Sequence, residues 1–145
     1  MIGLLQRVTS AHVVVTGETV GEIEQGLLVF IGVEKGDSTP QADRLLERIL
    51  GYRVFADAEG KMNCSVQDIH GGLLLVPQFT LAAGTDKGMR PSFSSAAIPE
   101  QGQYLFDYLL AQARQKHSNV ASGRFGADMK VSLVNDGPVT FVLRT

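Results

Sequence analysis

The chain opens on a long, mostly hydrophobic stretch, residues 4–15, that closes in Ala11-His12-Val13-Val14-Val15 and predicts a strand. Gly17 marks a turn into a short strand, Thr19 to Glu24. Gln25-Gly26 turns the chain again into Leu27-Leu28-Val29-Phe30-Ile31-Gly32-Val33, an unbroken apolar run suited to a strand buried on both faces. Three strands joined by short turns predict an antiparallel meander.

The period then changes. Ser38-Thr39-Pro40 supplies a capping hydroxyl and a proline at a tolerated first helical position. Ala42, Leu45, Leu46, Ile49 and Leu50 follow at helical spacing, with Asp43, Arg44, Glu47 and Arg48 outside the stripe. Gly51 is the expected stop. Tyr52 to Phe55 reads as a further strand, Asp57 to His70 is polar and turn-rich, and Leu73-Leu74-Leu75-Val76 reads as a central strand. Residues 82–98 show little periodicity and predict a long loop, a length that in compact domains often serves function.

Pro99-Glu100 begins a second helix, with Leu105, Tyr108, Leu109 and Gln112 on one face, widened by Phe106, Leu110 and Ala113. Glu100 near its start and Arg114, Lys116 and His117 near its end complement the helix dipole. Met129 to Asn135 and Val139 to Arg144 read as two strands joined at Asp136-Gly137.

Composition narrows the function classes. A chain of 145 residues, 44% hydrophobic, fits one domain with a real core. No apolar run reaches the roughly 18 residues that span a bilayer, and the N-terminus lacks the pattern of a signal peptide, so a cytoplasmic protein without a membrane partner is expected. One cysteine, Cys64, and three scattered histidines, His12, His70 and His117, offer no metal-ligand spacing. No metal and no cofactor are expected. A net charge of -2 argues against a protein that coats DNA or RNA, although a tRNA end needs only a local patch.

Several segments carry candidate chemistry. Asn135-Asp136-Gly137-Pro138-Val139-Thr140 reads locally as a hairpin, because Asp-Gly between two alternating runs is a strong turn signal. A cis Gly137-Pro138 bond is the sharper alternative, and X–Pro bonds are cis in only about 5–6% of cases. In Val76-Pro77-Gln78-Phe79-Thr80-Leu81, Phe79 and Leu81 serve either as core or as part of a strand end aimed at a ligand. There Thr80 is a candidate nucleophile, or the local N–H groups bind an oxyanion; no histidine or lysine is evidently paired with Thr80 as a base. Lys87 and Arg90 on the long loop, and Arg124 and Lys130 near the last strands, are solvated surface charges or phosphate contacts. Phe125 and Met129 read as core. Arg7 reads first as an exposed residue of an edge strand, with a place beside a carbonyl or phosphate as the alternative. His12 reads as partly buried, and His70 and His117 as surface.

Taken in order, seven segments resemble the bacterial D-aminoacyl-tRNA deacylase (D-tyrosyl-tRNA(Tyr) deacylase) family along nearly the whole chain. They are Gln6-Arg7-Val8, Gly26-Leu27-Leu28-Val29, Asp57-Ala58-Glu59-Gly60-Lys61-Met62-Asn63, Gln78-Phe79-Thr80-Leu81, Gly88-Met89-Arg90-Pro91-Ser92-Phe93, Gly123-Arg124-Phe125 and Asn135-Asp136-Gly137-Pro138-Val139-Thr140. One position departs: the family usually has Ser where this chain has Pro77, which removes a hydroxyl and one backbone N–H.

The resemblance implies an α+β fold, a single compact domain over 1–145 with a mainly antiparallel, barrel-like sheet and two helices at about 39–51 and 99–116. It implies a homodimer that hydrolyses the ester of D-aminoacyl-tRNA, holding the 3′-terminal adenosine and its amino acid, with no DNA partner. It assigns Phe79 and Thr80 to catalysis, Arg7, Gln78, Met129 and Asn135 to substrate binding, and Lys87, Arg90, Arg124 and Lys130 to tRNA. It makes Gly137-Pro138 a cis step that enters the partner subunit and excludes L side chains by collision. Glycine has no side chain to exclude, so glycyl-tRNA is an expected further substrate. An aminoacyl ester is already activated and its ribose brings a 2′-hydroxyl, so substrate-assisted catalysis is expected. The rival readings are a covalent Thr80, a tRNA-end-binding module without turnover, and a small-molecule esterase or a deacylase for another chirality-related error.

Overall fold

A strand of 14 residues, β1 (Ile2–Val15), organises the sheet. The computed structural model describes residues 1–145. β2 (Glu18–Ile23) pairs antiparallel with residues 11–15 of β1, and β3 (Gly26–Gly32) pairs antiparallel with residues 2–8. The expected meander is therefore rearranged. β2 and β3 do not pair with each other; they share one edge of β1 end to end, because β1 is long enough to hold both. The other edge of β1 is taken by β8 (Lys130–Arg144). Arg7 is thus not on an edge strand.

Beyond β3 the sheet turns parallel. α1 (Thr39–Gly51) carries the chain from β3 to β6 (Gly72–Pro77), and α2 (Pro99–Lys116) carries it from β6 to β7 (Val120–Ser122). Both strand pairs, β3–β6 and β6–β7, run parallel, as helical crossovers require. The path β2-β1-β3-β6-β7 nearly closes on itself. At the seam a Cβ on Gly21 of β2 would lie 2.5 Å from the Ser122 carbonyl oxygen of β7, so only glycine permits this approach.

Alternation along the central strands sorts the core into two layers. Leu27, Val29, Leu73 and Leu75 face the helices and join Leu45, Leu46, Ile49, Leu105 and Leu109. Leu28, Leu74 and Val76 face the opposite way, into the curl of the sheet, with Val8, Val13 and Ile23. The five buried residues of α1 are the five of its apolar stripe. Gln41 returns its side-chain oxygen to the Ser38 N–H at 2.9 Å, closing the start of that helix. Tyr108 of α2 donates to Asp43 of α1 at 2.9 Å and ties the helices together.

Three local expectations change. The strand after α1 is only Phe55–Ala56 (β4), and it pairs with Met62–Cys64 (β5) inside the segment read as turn-rich. Asp57 builds the turn between them, accepting from Asn63 Nδ2, Lys61 N and Glu59 N. Those bonds, led by Asn63, hold its carboxyl below the ordinary carboxylate value. His117, read as surface, is buried, with Nε2 2.6 Å from the Gly71 carbonyl oxygen. No helix is long and apolar enough to cross a membrane.

Candidate active site

The largest correction concerns the last strand. The two halves expected to pair as a hairpin do not pair with each other. Both lie along β1 in one direction, Lys130 opposite Val14 and Arg144 opposite Ile2, so the chain never reverses at Asp136-Gly137. Alternation says that each half is a strand, but it does not say which neighbour each half will find. β1 offers an edge long enough for both.

What interrupts the ladder is an excursion. Gln6 faces Thr140 and Val8 faces Asn135, so residues 136–139 stand out from the pairing. The Gly137-Pro138 bond is cis, and both residues are exposed. Gly137 has φ +135°, a region open to glycine, and a Cβ there would lie 2.8 Å from Val139 Cγ2. Arg7 donates from Nε to the Asp136 carbonyl oxygen at 2.9 Å and from Nη1 to the Val54 carbonyl oxygen at 2.7 Å. Asn135 Oδ1 accepts from the Val139 N–H at 2.8 Å.

The second assembly sits at the C-terminal ends of the parallel strands, where open α/β sheets bind ligands. A mostly apolar cavity of about 460 Å³ lies between the ends of β3 and β6, the start of α2 and residues 125–131. Phe106, Phe125, Met129 and Val131 wall it, and Gln78 and Phe79 line it too. Phe125 and Met129 are therefore half-buried walls of a cavity rather than closed core. Pro77, the departing position, is also part of the lining.

Phe79 and Thr80 are exposed and begin a short 3-10 turn, Phe79–Ala82, where a continuing strand was expected. The first bond of that turn runs from Leu81 N to the Gln78 carbonyl oxygen. The N–H groups of Phe79 and Thr80 precede it and have no partner. Pro77 removes a donor two positions earlier and leaves both in place. The Thr80 hydroxyl accepts from the Gln78 side-chain amide. Phe79 packs against Phe93 with ring centroids 5.3 Å apart, which draws the long loop to the cavity rim. Backbone bonds between Gly84 and Ser92 close that loop and hold Lys87, Met89 and Arg90 outward.

The structure thus joins Gln78, Phe79 and Met129 at one cavity, with Thr80 beside it. Arg7, Asn135, Gly137 and Pro138 meet elsewhere, and none of them lines that cavity. Lys87, Arg90 and Arg124 are exposed, whereas Lys130 is paired with Asp128 at 3.1 Å. The sequence reading missed Val33, Ile98 and Phe106 as cavity walls. Their apolar character marks core, and only the strand and helix ends bring them together.

The D-Tyr-tRNA(Tyr) deacylase family profile matches residues 4–144. A D-aminoacyl-tRNA deacylase of Pseudomonas fluorescens (strain Pf0-1) is 65% identical over 145 residues, all of both chains. One of Pseudomonas putida (strain F1) is 66% identical over 144 residues, 99% of each. Among solved structures, one titled "c-Myc DNA Unwinding Element Binding Protein" superposes with a TM-score of 0.96 at 37% identity, covering 100% of this chain and 99% of its own. Another, titled as a probable eukaryotic D-amino acid tRNA deacylase, shares the fold at a TM-score of 0.86 and 17% identity, covering 99% of this chain and 98% of its own. With matches that run from end to end, the chain belongs to the D-aminoacyl-tRNA deacylase (D-Tyr-tRNA(Tyr) deacylase) family of hydrolases.

Proposed function

We propose that the chain hydrolyses the ester of D-aminoacyl-tRNA by positioning and oxyanion stabilisation, as a homodimer in which Gly137-Pro138 of one copy closes the site of the other. The observation that carries the catalytic half is the pair of free N–H groups at Phe79 and Thr80, at the rim of an apolar cavity. Two donors aimed at one oxygen are what a tetrahedral intermediate needs. The cavity takes the terminal adenosine, and its size falls in the range of small-molecule sites.

The bond that forms joins a water oxygen to the ester carbonyl carbon. The bond that breaks releases the ribose oxygen, which leaves with a proton. The neighbouring 2′-hydroxyl of the substrate orients the water. Thr80 accepts a hydrogen bond from an amide, a group that takes no proton from a hydroxyl, and this supports the N–H reading over a covalent threonine.

The chiral half is supported by placement. Gly137 and Pro138 project from the sheet and lie apart from the cavity of their own chain, so a second copy is the route by which they reach one. Their carbonyl oxygens stand against the substrate α-carbon. An L side chain collides, a D side chain points away, and glycine passes. Exclusion of this kind suits a site that must spare abundant L-aminoacyl-tRNA, because small contact differences discriminate weakly. Lys87, Arg90 and Arg124 are exposed cations for tRNA phosphates, and Lys130 joins them by leaving a weak, exposed pair with Asp128.

The test is ester loss from matched D-, L- and glycyl-tRNA. The D and glycyl esters are expected to turn over and the L ester to survive. Equal rates on D and L would sink the chiral reading, and no turnover on any would sink the catalytic one.

A further inference from the structure

The excursion at Gly137-Pro138 leaves the β1–β8 ladder between two polar residues that are bonded to each other. Thr140 Oγ1 accepts from Asn135 Nδ2 at 2.9 Å and from Gln6 Nε2 at 3.2 Å. The Val139 N–H donates to Asn135 Oδ1 at 2.8 Å. An N–H can only donate, so this bond fixes which end of the Asn135 amide faces Thr140. The Thr140 oxygen must then accept. None of residues 136–139 has a ladder partner on β1, so side chains replace the missing ladder bonds.

The placement of these bonds gives them a purpose. Asn135 and Thr140 are the last paired residues on either side of the excursion, opposite Val8 and Gln6. Their mutual bond therefore closes its base, and Gln6 ties that base to β1. Arg7 holds the first residue of the excursion through the Asp136 carbonyl. A wall that selects by collision works only if it is held to within about 0.5 Å. A four-residue excursion without such ties would yield to the side chain it has to refuse.

We propose that Thr140 is a positioning residue for chiral selection: its hydroxyl oxygen closes the base of the 136–139 excursion and sets where Gly137 and Pro138 project. This rests on the reading that those two residues exclude the L side chain.

The test compares wild type, Thr140→Val and Thr140→Ser by two measurements. One is the ratio of D-ester to L-ester hydrolysis. The other is amide hydrogen exchange at Val139, which reads the brace without reference to chirality. Valine keeps the shape and removes the acceptor, while serine keeps the acceptor. Two neutral hydrogen bonds at about 1 kcal/mol each make the expected loss about tenfold or more. Thr140→Val is expected to lower the D-over-L ratio and to speed Val139 exchange by that factor, with Thr140→Ser close to wild type in both. Should valine prevent folding, which the thermal midpoint reports, Thr140→Ala makes the same comparison. An unchanged ratio in an enzyme whose wild type discriminates overturns the proposal, and so does unchanged exchange. Equal losses in the valine and serine variants overturn it too, since the methyl group would then carry the effect. If wild type itself shows no preference, the chiral reading has failed, and exchange still decides whether the brace exists.

Discussion

Arg7 and Asp136 are joined through the backbone: the guanidinium Nε donates to the Asp136 carbonyl oxygen at 2.9 Å, while Nη1 holds the Val54 carbonyl oxygen at 2.7 Å. The Asp136 carboxylate stands farther off, at 3.6 Å. A planar fork reaches two carbonyls on different segments from two separate nitrogens, a spacing that the single nitrogen of an ammonium does not reproduce. Arg7→Lys is therefore expected to lose one of the two bonds and about 1–3 kcal/mol of stability. Urea unfolding measures it. A lysine variant as stable as wild type would show that the fork geometry does not matter here.

Much of the fold was legible because its signals are local. The stripe of α1 predicted its five buried residues, since a helix face is set by spacing within one segment. Phe30, half-buried beside the second core layer, belongs to an apolar run whose lack of alternation predicts burial on both faces. Pairing was not legible. The halves of β8 alternate as any two strands would, and only the length of β1 decides that they line it together. β7 escaped notice because three residues carry no period. The site divided in the same way. Gln78, Phe79 and Thr80 stood out as a segment, but the turn that frees two of their N–H groups begins only where β6 ends. Arg7 looked like an edge residue because nothing in its neighbours reveals that β1 is flanked on both sides.

A second tie holds the ends of the chain. The Met1 ammonium is fully buried, 2.8 Å from Asp37 Oδ1, 2.9 Å from the Thr145 carbonyl oxygen and 3.6 Å from Glu34. Asp37 also accepts from the Glu34 N–H at 2.7 Å. Removing Asp37 takes the nearest carboxylate from a buried ammonium and the acceptor from the Glu34 N–H, leaving only Glu34 at 3.6 Å as counter-charge, so Asp37→Ala is expected to cost about 3 kcal/mol. Arg44→Ala breaks a still shorter but exposed pair with Glu47, 2.6 Å against 2.8 Å, and is expected to cost under about 1 kcal/mol. Urea midpoints at constant slope compare the two. Equal costs would refute the argument from burial.

The Asp57 turn makes stability depend on acid. Hydrogen bonds from Asn63, Lys61 and Glu59 favour the carboxylate, so the folded pKa lies below the unfolded one. The unfolded chain therefore takes up the proton first as pH falls. The stabilisation is complete above the unfolded value and is lost as pH drops through the folded one. Asp57→Asn removes this share of the acid limb, so its urea midpoint is expected to fall less steeply than wild type as pH drops through and below the ordinary carboxylate range. Parallel limbs would mean that the turn bonds are unchanged by protonation.

Thr80 decides between the two catalytic readings, because backbone donors survive a side-chain substitution. If the N–H groups of Phe79 and Thr80 bind the oxyanion, Thr80→Ala keeps both. It loses only the hydroxyl that now accepts from Gln78. The variant is expected to retain D-ester hydrolysis to within about tenfold, the scale of one lost neutral hydrogen bond with some misplacement. The burden of proton handling then falls on the substrate. A tRNA ending in 2′-deoxyadenosine is expected to react at least about a hundredfold more slowly, the lower range of a positioned acid–base group. Single-turnover ester loss measures both. A covalent threonine predicts the reverse order: no reaction in Thr80→Ala with fold and substrate affinity intact, and a deoxy substrate that still acylates the enzyme.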